Sequence, residues 1–370
     1  MPIGAAKMWF KQQVLGPPRY LYGWGYNTYG QIGYGGTANK SSPVKIGSAT
    51  NWTDIATGTA SLGISGGALY AWGNGNYGEL GVGNTSNYSS PVRVGSGTNW
   101  TVVGCGDIHS LGIAGGALYT WGFNTYGQLG DRTTTVRSSP VRIGSGTNWT
   151  VVAGGGDVSF GIAGGALYAW GYNSYGVLGN GIGTTTITSS PVRIGSDTNW
   201  TAIMTNGQNS LGVAGGAIYS WGRNNIGQLG DGTINPKSSP VRLGSGTNWT
   251  FVAGGTIGSS GSFSLGIAGG ALYAWGNGGS GQFGQGNTSN YSSPVRIGSV
   301  ATWTAVTCLL ESSHGVCGGI LGGCGNNVTY GQLGDGTTVS KSAMAQIGAA
   351  TSWKTLPKSA GNHQTAFCIG

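Results

Sequence analysis

Few residues in this chain could bind a metal, move a proton or attack a substrate, and their spacing decides what they can do. Cys308, His314, Cys317 and Cys324 come nearest to a metal-ligand set, separated pairwise by nine, three and seven residues. Those intervals do not make the paired Cys-x-x-Cys of a zinc knuckle, and no metal is expected. His109, His314 and His363 stand at similar places before strand-like runs, where an imidazole hydrogen-bonds a turn. Asp131, Asp231 and Asp335 each follow a Leu-Gly turn far apart in the chain. Acid–base catalysis needs two such groups in one pocket, and calcium needs several oxygens in one loop. The stretches Gly73–Gly78 and Gly276–Gly281 fit G-x-G-x-x-G, but a phosphate grip requires a helix after the turn, and here another strand-like run follows. Ser65 fits the nucleophile-elbow pattern, yet Ala114, Ala163, Ala214 and Ala268 occupy the equivalent places. No catalytic residue and no cofactor are expected.

The elements that would position these groups are set by a repeat. Trp-Gly begins at Trp24, Trp72, Trp121, Trp170, Trp221 and Trp275, at intervals of 48–54 residues, with Cys324-Gly325 as a seventh copy. A second tryptophan recurs independently at Trp52, Trp100, Trp149, Trp200, Trp249, Trp303 and Trp353. Within the unit from Asn99 to Thr147, β-like runs cover Trp100–Val103, Ser110–Ile113, Ala117–Trp121 and Pro140–Ile143. Gly-Gly, Asn-Thr-Tyr-Gly and Ser-Gly-Thr-Asn turns separate them. Four strands in about 40–50 residues, repeated, mark propeller blades rather than a helical solenoid. The fold class is therefore all-β: a seven-bladed β-propeller with four strands per blade. The last unit supplies Trp353–Leu356 and Thr365–Ile369 but lacks a third strand, which Tyr20–Trp24 provides. The N-terminal strand thus joins the C-terminal blade and shuts the ring. Residues 20–370 form the propeller and residues 1–19 an arm.

Composition narrows the class further. Only 7% of residues are charged, against about 25% in an ordinary domain, while 38% are hydrophobic, including 14 Trp and 17 Tyr. That aromatic bulk excludes charge-driven disorder. The 78 glycines do not fall at every third position, so the chain is not collagen-like. No run approaches the ~18 apolar residues of a spanning helix, and the first twenty residues lack the apolar core of a secretory signal. Neither membrane insertion nor secretion through such a signal is expected. The net charge of +8 comes without a basic run, so nucleic acid is not an expected partner. Five cysteines, an odd number, read mainly as free buried thiols of a chain folded in a reducing cytoplasm.

The unit G-x-x-H-S-L-G-I-x-G-G-A-L-Y-x-W-G-x-N-x-Y-G-Q-L-G-D-G-T resembles the regulator of chromosome condensation (RCC1-like) repeat from Tyr20 to Gly370. The resemblance implies a propeller whose members include a guanine-nucleotide exchange factor and bacterial inhibitors of β-lactamase. The near-identity of the repeats, with loops of Thr, Ser, Asn and Gly, resembles bacterial and phage members.

Binding would then fall on loop faces, where repeats vary without disturbing the core. Variation is greatest after the Leu-Gly turn (residues 34–40, 132–137, 181–188 and 234–237). A second variable set precedes the next run (residues 107–109, 205–209, 256–262 and 309–314). Lys45, Arg93, Arg142, Arg193, Arg242 and Arg296 recur in Ser-Ser-Pro-Val-Arg/Lys and form a ring. The ring is a solvated row guarding edge strands or a surface for an acidic partner. Tyr88 and Tyr291, in identical Asn-Thr-Ser-Asn-Tyr segments, are expected to be exposed and able to stack on sugar. Met8, Trp9 and Phe10 in the arm either plug the first blade or dock the chain to an assembly.

These features lead to a non-enzymatic binding or structural module, a phage virion component such as an appendage, fibre or decoration protein. It would be assembled in the host cytoplasm, anchored by its arm, and would contact other virion proteins or a host surface protein or glycan. It could be an oligomer within that assembly. The alternative is a soluble cytoplasmic protein-binding regulator or inhibitor acting through one propeller face.

Overall fold

A computed structural model describes residues 18–256, 261–359 and 364–370. The unit from Asn99 to Thr147 folds as Trp100–Cys105, His109–Ala114, Ala117–Gly122 and Arg137–Arg142, paired antiparallel as a meander. Gly115 and Gly116, at φ +54° and +77°, make the two-residue hairpin between its second and third strands, a turn that needs left-handed backbone at both positions. The same four-stranded order recurs in the sheets that open at Trp52, Trp149, Trp200, Trp249 and Trp303. The first strand of each sheet lies against the first strand of the next, so these strands surround the axis. The Ser-Pro-Val strands form the perimeter.

Closure occurs as the sequence implies. Thr365–Ile369 pairs antiparallel with Leu21–Gly25, in register from Leu21↔Ile369 to Gly25↔Thr365, and Lys40–Lys45 pairs on the other side. The innermost position of this shared blade is reduced to one bridge, Thr355↔Ile369. The reason is Pro357, which has no N–H to donate to a ladder. Beyond it, Lys358–Ser359 leaves the blade and pairs parallel with Ala56–Thr57 of the next one. Each blade therefore has its four strand positions, with one of them vestigial at the seam.

What holds neighbouring blades together is the Trp-Gly/Gly-Gln-Leu-Gly pair of motifs. Each tryptophan of the first series is fully buried, and the turn of the preceding blade closes over it. Trp72 Nε1 donates to the Gln31 carbonyl at 2.8 Å, Trp121 to Glu79 at 2.9 Å, Trp170 to Gln128 at 2.9 Å and Trp221 to Val177 at 2.8 Å. At the seam Trp24 donates to Gln332 at 3.0 Å, 308 residues away. The glycine after each leucine is obligatory here: a Cβ at Gly81 would sit 2.7 Å from the Trp121 Nε1. Cys324 fills the seventh place as core, and its Sγ–H points to the Gln282 carbonyl at 3.3 Å.

Candidate functional site

Because successive strands are antiparallel, the first-to-second and third-to-fourth connections of every blade emerge on the same face. Both sets of irregular loops singled out in the sequence therefore lie together. Among the described residues, the opposite face carries the Gly-Gly hairpins and the short links between blades. Arg19, whose N–H donates to the Thr50 carbonyl at 2.7 Å, is on that second face. Met8, Trp9 and Phe10 lie outside the described residues, as do His363 and residues 257–260 of one loop.

The loop face is built by buried carboxamides. Asn124 Oδ1 accepts the Leu129 N–H at 2.9 Å, while its Nδ2 donates to the Thr133 and Thr135 carbonyls, both at 3.1 Å. Gln128 Oε1 accepts the Tyr126 N–H at 2.9 Å and so fixes the loop tip. Held in this way, aromatic rings from one blade meet those of the next. Tyr77 packs against Phe123 at 5.2 Å, Tyr126 against Tyr172 at 4.9 Å, and Tyr330 against Tyr26 across the seam at 4.8 Å. Arg223 lies over the Tyr175 ring at 5.3 Å. These contacts make an aromatic arc over most of the face, with Tyr29, Tyr77 and Tyr175 exposed. At the seam, Tyr26, Tyr29, Tyr330, Leu310 and Gln364 line a cavity of about 300 Å³.

This arc was not foreseen from the sequence. The signal was present in the W-G-x-N-x-Y segment, where the first variable position is Tyr26, Phe123 or Tyr172. The tyrosines expected to be exposed are not. Tyr88 and Tyr291 are half-buried against the core, and Tyr291 packs on Phe283 at 5.8 Å. Both rings pack against the clusters between blades, and the Tyr88 hydroxyl accepts from Asn84 Nδ2 at 3.1 Å. Lys45, Arg93, Arg142, Arg193, Arg242 and Arg296 stand exposed at the perimeter, at the strand ends nearest the hairpin face. Arg93, Arg142, Arg193, Arg242 and Arg296 each donate to the carbonyl three residues on, at 2.7–3.0 Å. Lys45 lies over the Tyr20 ring at 3.4 Å.

The titratable groups fall into structural roles. Asp131 staples its loop by accepting from Thr133 and pairing with Arg137 at 2.8 Å, and these hydrogen bonds outweigh partial burial to hold its carboxyl below the usual range. Asp231–Lys237 and Asp335–Lys341 repeat the arrangement at 3.7 and 3.9 Å. His109 Nε2 meets Ser159 Oγ at 2.8 Å and His314 Nε2 meets the Leu333 carbonyl at 3.3 Å. Burial lowers these imidazoles to about 3 and about 4, so both stay neutral. The five cysteines are free, and burial pushes the Cys324 thiol to about 12, too high for a reactive thiolate. Among the described residues, no group of three or more His, Cys, Asp or Glu is placed to hold a metal ion.

One acidic pair was also unexpected. Asp157 accepts from Gln128 Nε2 at 2.9 Å, and burial together with the charge of Asp107 on the adjacent blade raises its carboxyl to about 6. The two occupy the same place in successive repeats, which the sequence displays as Gly-Asp before the second strand. The axis itself offers little room. Gly104, Gly154, Met204, Thr307 and Pro357 close it to a cavity of about 50 Å³, enough for water but not for a ligand.

The family model for the regulator of chromosome condensation (RCC1) repeat matches residues 20–61, 66–113, 115–162, 164–209, 215–259 and 269–308. The chain belongs to this family. Six of its repeats are matched directly, and the seventh is the unit in which cysteine replaces tryptophan. Among solved structures, human WBSCR16 is similar at 20% identity and TM-score 0.81, over 95% of this chain and 98% of that one. Prp20p from Saccharomyces cerevisiae, solved in a study of its binding to Gsp1p and histones, is similar at 18% identity and TM-score 0.78, over 95% and 91%. A yeast RCC1 (Prp20) chain bound by Kap60 gives 17% identity and TM-score 0.78, over 100% and 96%. At these identities the likeness is one of fold. A search of curated proteins returned no match.

Proposed function

We propose that this RCC1-repeat propeller is a non-enzymatic module that binds a macromolecular partner through its loop face. The aromatic arc carries the reading. Among the described residues, nine of the twelve exposed large hydrophobics, including Tyr77, Val136, Tyr175, Ile182, Ile234 and Val339, sit on loops of this face or on the strand ends beside them. An exposed apolar surface with a polar rim marks an interaction site, and aromatic anchors dominate such surfaces. The yeast relatives, one studied for binding to Gsp1p and histones and one bound by Kap60, support a protein as the partner class.

A narrower reading, of bacterial or phage type, is a virion component that turns its loop face to a host surface and is anchored by residues 1–19. Its support is the low charge, the Gly-, Ser-, Thr- and Asn-rich loops, and Arg19 lying on the face opposite the arc. The similar solved structures are human and yeast proteins, so this reading rests on composition and placement. Finding the chain in purified particles by mass spectrometry supports it, and absence from them refutes it.

The binding reading is tested by comparing two surface variants. A partner should be retained by the wild type and by perimeter variant Arg193→Ala, and lost by Tyr77→Ser/Tyr126→Ser/Tyr175→Ser, with unchanged circular dichroism. Retention by the triple tyrosine variant would overturn the assignment to this face.

A further inference from the structure

The perimeter carries a second kind of site, repeated by the blades and distinct from the aromatic arc, though two of its grooves extend to the base of the loops. Three grooves between outer edges of neighbouring blades have volumes of about 440, 680 and 690 Å³, within the range of small-molecule sites. Their linings correspond position by position. In the smallest, Arg93 forms one wall, Trp100 and Tyr119 (ring centroids 5.3 Å apart) form the floor, and Pro140 forms the far lip. Arg142 with Trp149, and Arg242 with Trp249, take the same places in the other two.

Each groove sets an arginine and an indole N–H beside one carboxamide oxygen, so donors outnumber acceptors among its side chains. The Nε1–H of Trp100 has no partner among the described residues and lies beside the Asn99 carboxamide and Gly97, which also line the groove. One guanidinium nitrogen of Arg93 is held by the Ser96 carbonyl at 3.0 Å, which orients the group and leaves its other donors free. Among the described residues, Arg93 is the one charged side chain lining that groove. In the other two, the acids Asp131 and Asp231 are already paired with Arg137 and Lys237. A fitting ligand is therefore anionic, rich in acceptors, and has a flat carbon face for the aromatic floor. A bare phosphate would use only the guanidinium. A pyranose carrying a carboxylate uses all of the groove, because a guanidinium fork matches a carboxylate bidentately.

We propose that these three grooves each bind one carboxylated pyranose unit of an acidic polysaccharide, and that their repetition around the ring makes binding multivalent. Separate grooves on one rigid body raise avidity without new contacts.

The test uses the whole protein on immobilised polygalacturonate, alginate and hyaluronate, with neutral dextran as control. Retention is expected on at least one acidic polymer and not on dextran. The variant Arg93→Gln/Arg142→Gln/Arg242→Gln should bind at least tenfold more weakly. The corresponding triple Lys variant should also lose affinity, because it keeps the charge but not the fork. All three side chains are exposed, so an unchanged melting temperature separates loss of binding from loss of fold. Polyphosphate at equal charge should fail to displace the protein. No retention on any of the three polymers, or retention by the Gln variant, would overturn the proposal. So would a Lys variant that binds like wild type and is displaced by polyphosphate, since the surface would then read charge alone. The triple tyrosine variant of the loop face should bind these polymers normally.

Discussion

Glu79 occupies the turn position that Gln31, Gln128, Gln228, Gln282 and Gln332 fill in other blades. Its Oε2 accepts the Tyr77 N–H at 2.7 Å, as the carboxamides do, but its Oε1 is buried without a partner. Burial raises the carboxyl from 4.5 to about 7, partly offset by the backbone hydrogen bonds it accepts. A folded value above the unfolded one means the group favours folding when protonated. Its contribution is full below about pH 4.5 and is lost as pH rises through about 7. On the next blade the same turn holds Gln128, whose Nε2 donates to Asp157, and Asp107 is the repeat equivalent of Asp157. Glu79→Gln is therefore expected to restore a donor facing Asp107. It should raise the melting temperature at pH 8, by a gain on the order of 3 kcal/mol at 1.36 kcal/mol per pKa unit, and leave pH 5 little changed. Melting curves at the two pH values check this. Equal shifts at both would mean that the effect is not one of ionisation.

At the level of the element, the repeat was legible because one local interaction forces several positions at once. A tryptophan whose N–H must reach a carbonyl of the preceding blade demands a turn directly above it, and that turn tolerates only glycine at its closest approach. The paired variants Gly81→Ala and Gly95→Ala separate this contact from backbone preference. Both glycines have positive φ, +72° and +62°. A methyl group at Gly95 would meet no atom within 4 Å, whereas one at Gly81 would run into the Trp121 indole. Gly95→Ala should cost about 1 kcal/mol for the left-handed backbone, and Gly81→Ala about 2 kcal/mol more for overpacking, measured by urea unfolding. Strand ends and side-chain exposure were less legible. Tyr88 and Tyr291 sit in polar segments that read as solvent-facing, yet the wedge between blades takes their rings. Trp353–Leu356 has the pattern of a full strand, but Pro357 redirects the chain after one bridge.

For the whole molecule, seven units and their closure follow from counting two tryptophan series. The distribution of function across the ring does not. Which loops share a face depends on strand direction, and the aromatic arc and the Asp107–Asp157 pair arise only when neighbouring blades are set side by side. No single repeat contains either. The division into a loop face, a hairpin face and a grooved perimeter rests on the chain ends meeting within one sheet. That pairing can be trapped directly, because Tyr22 stands opposite Cys368 in the register of the seam. The variant Tyr22→Cys, folded and then oxidised, should form an intrachain 22–368 disulfide, identified by peptide mapping, while the other four cysteines remain free. A chain that forms no such link, or links only between molecules, would contradict a ring closed by its own two ends.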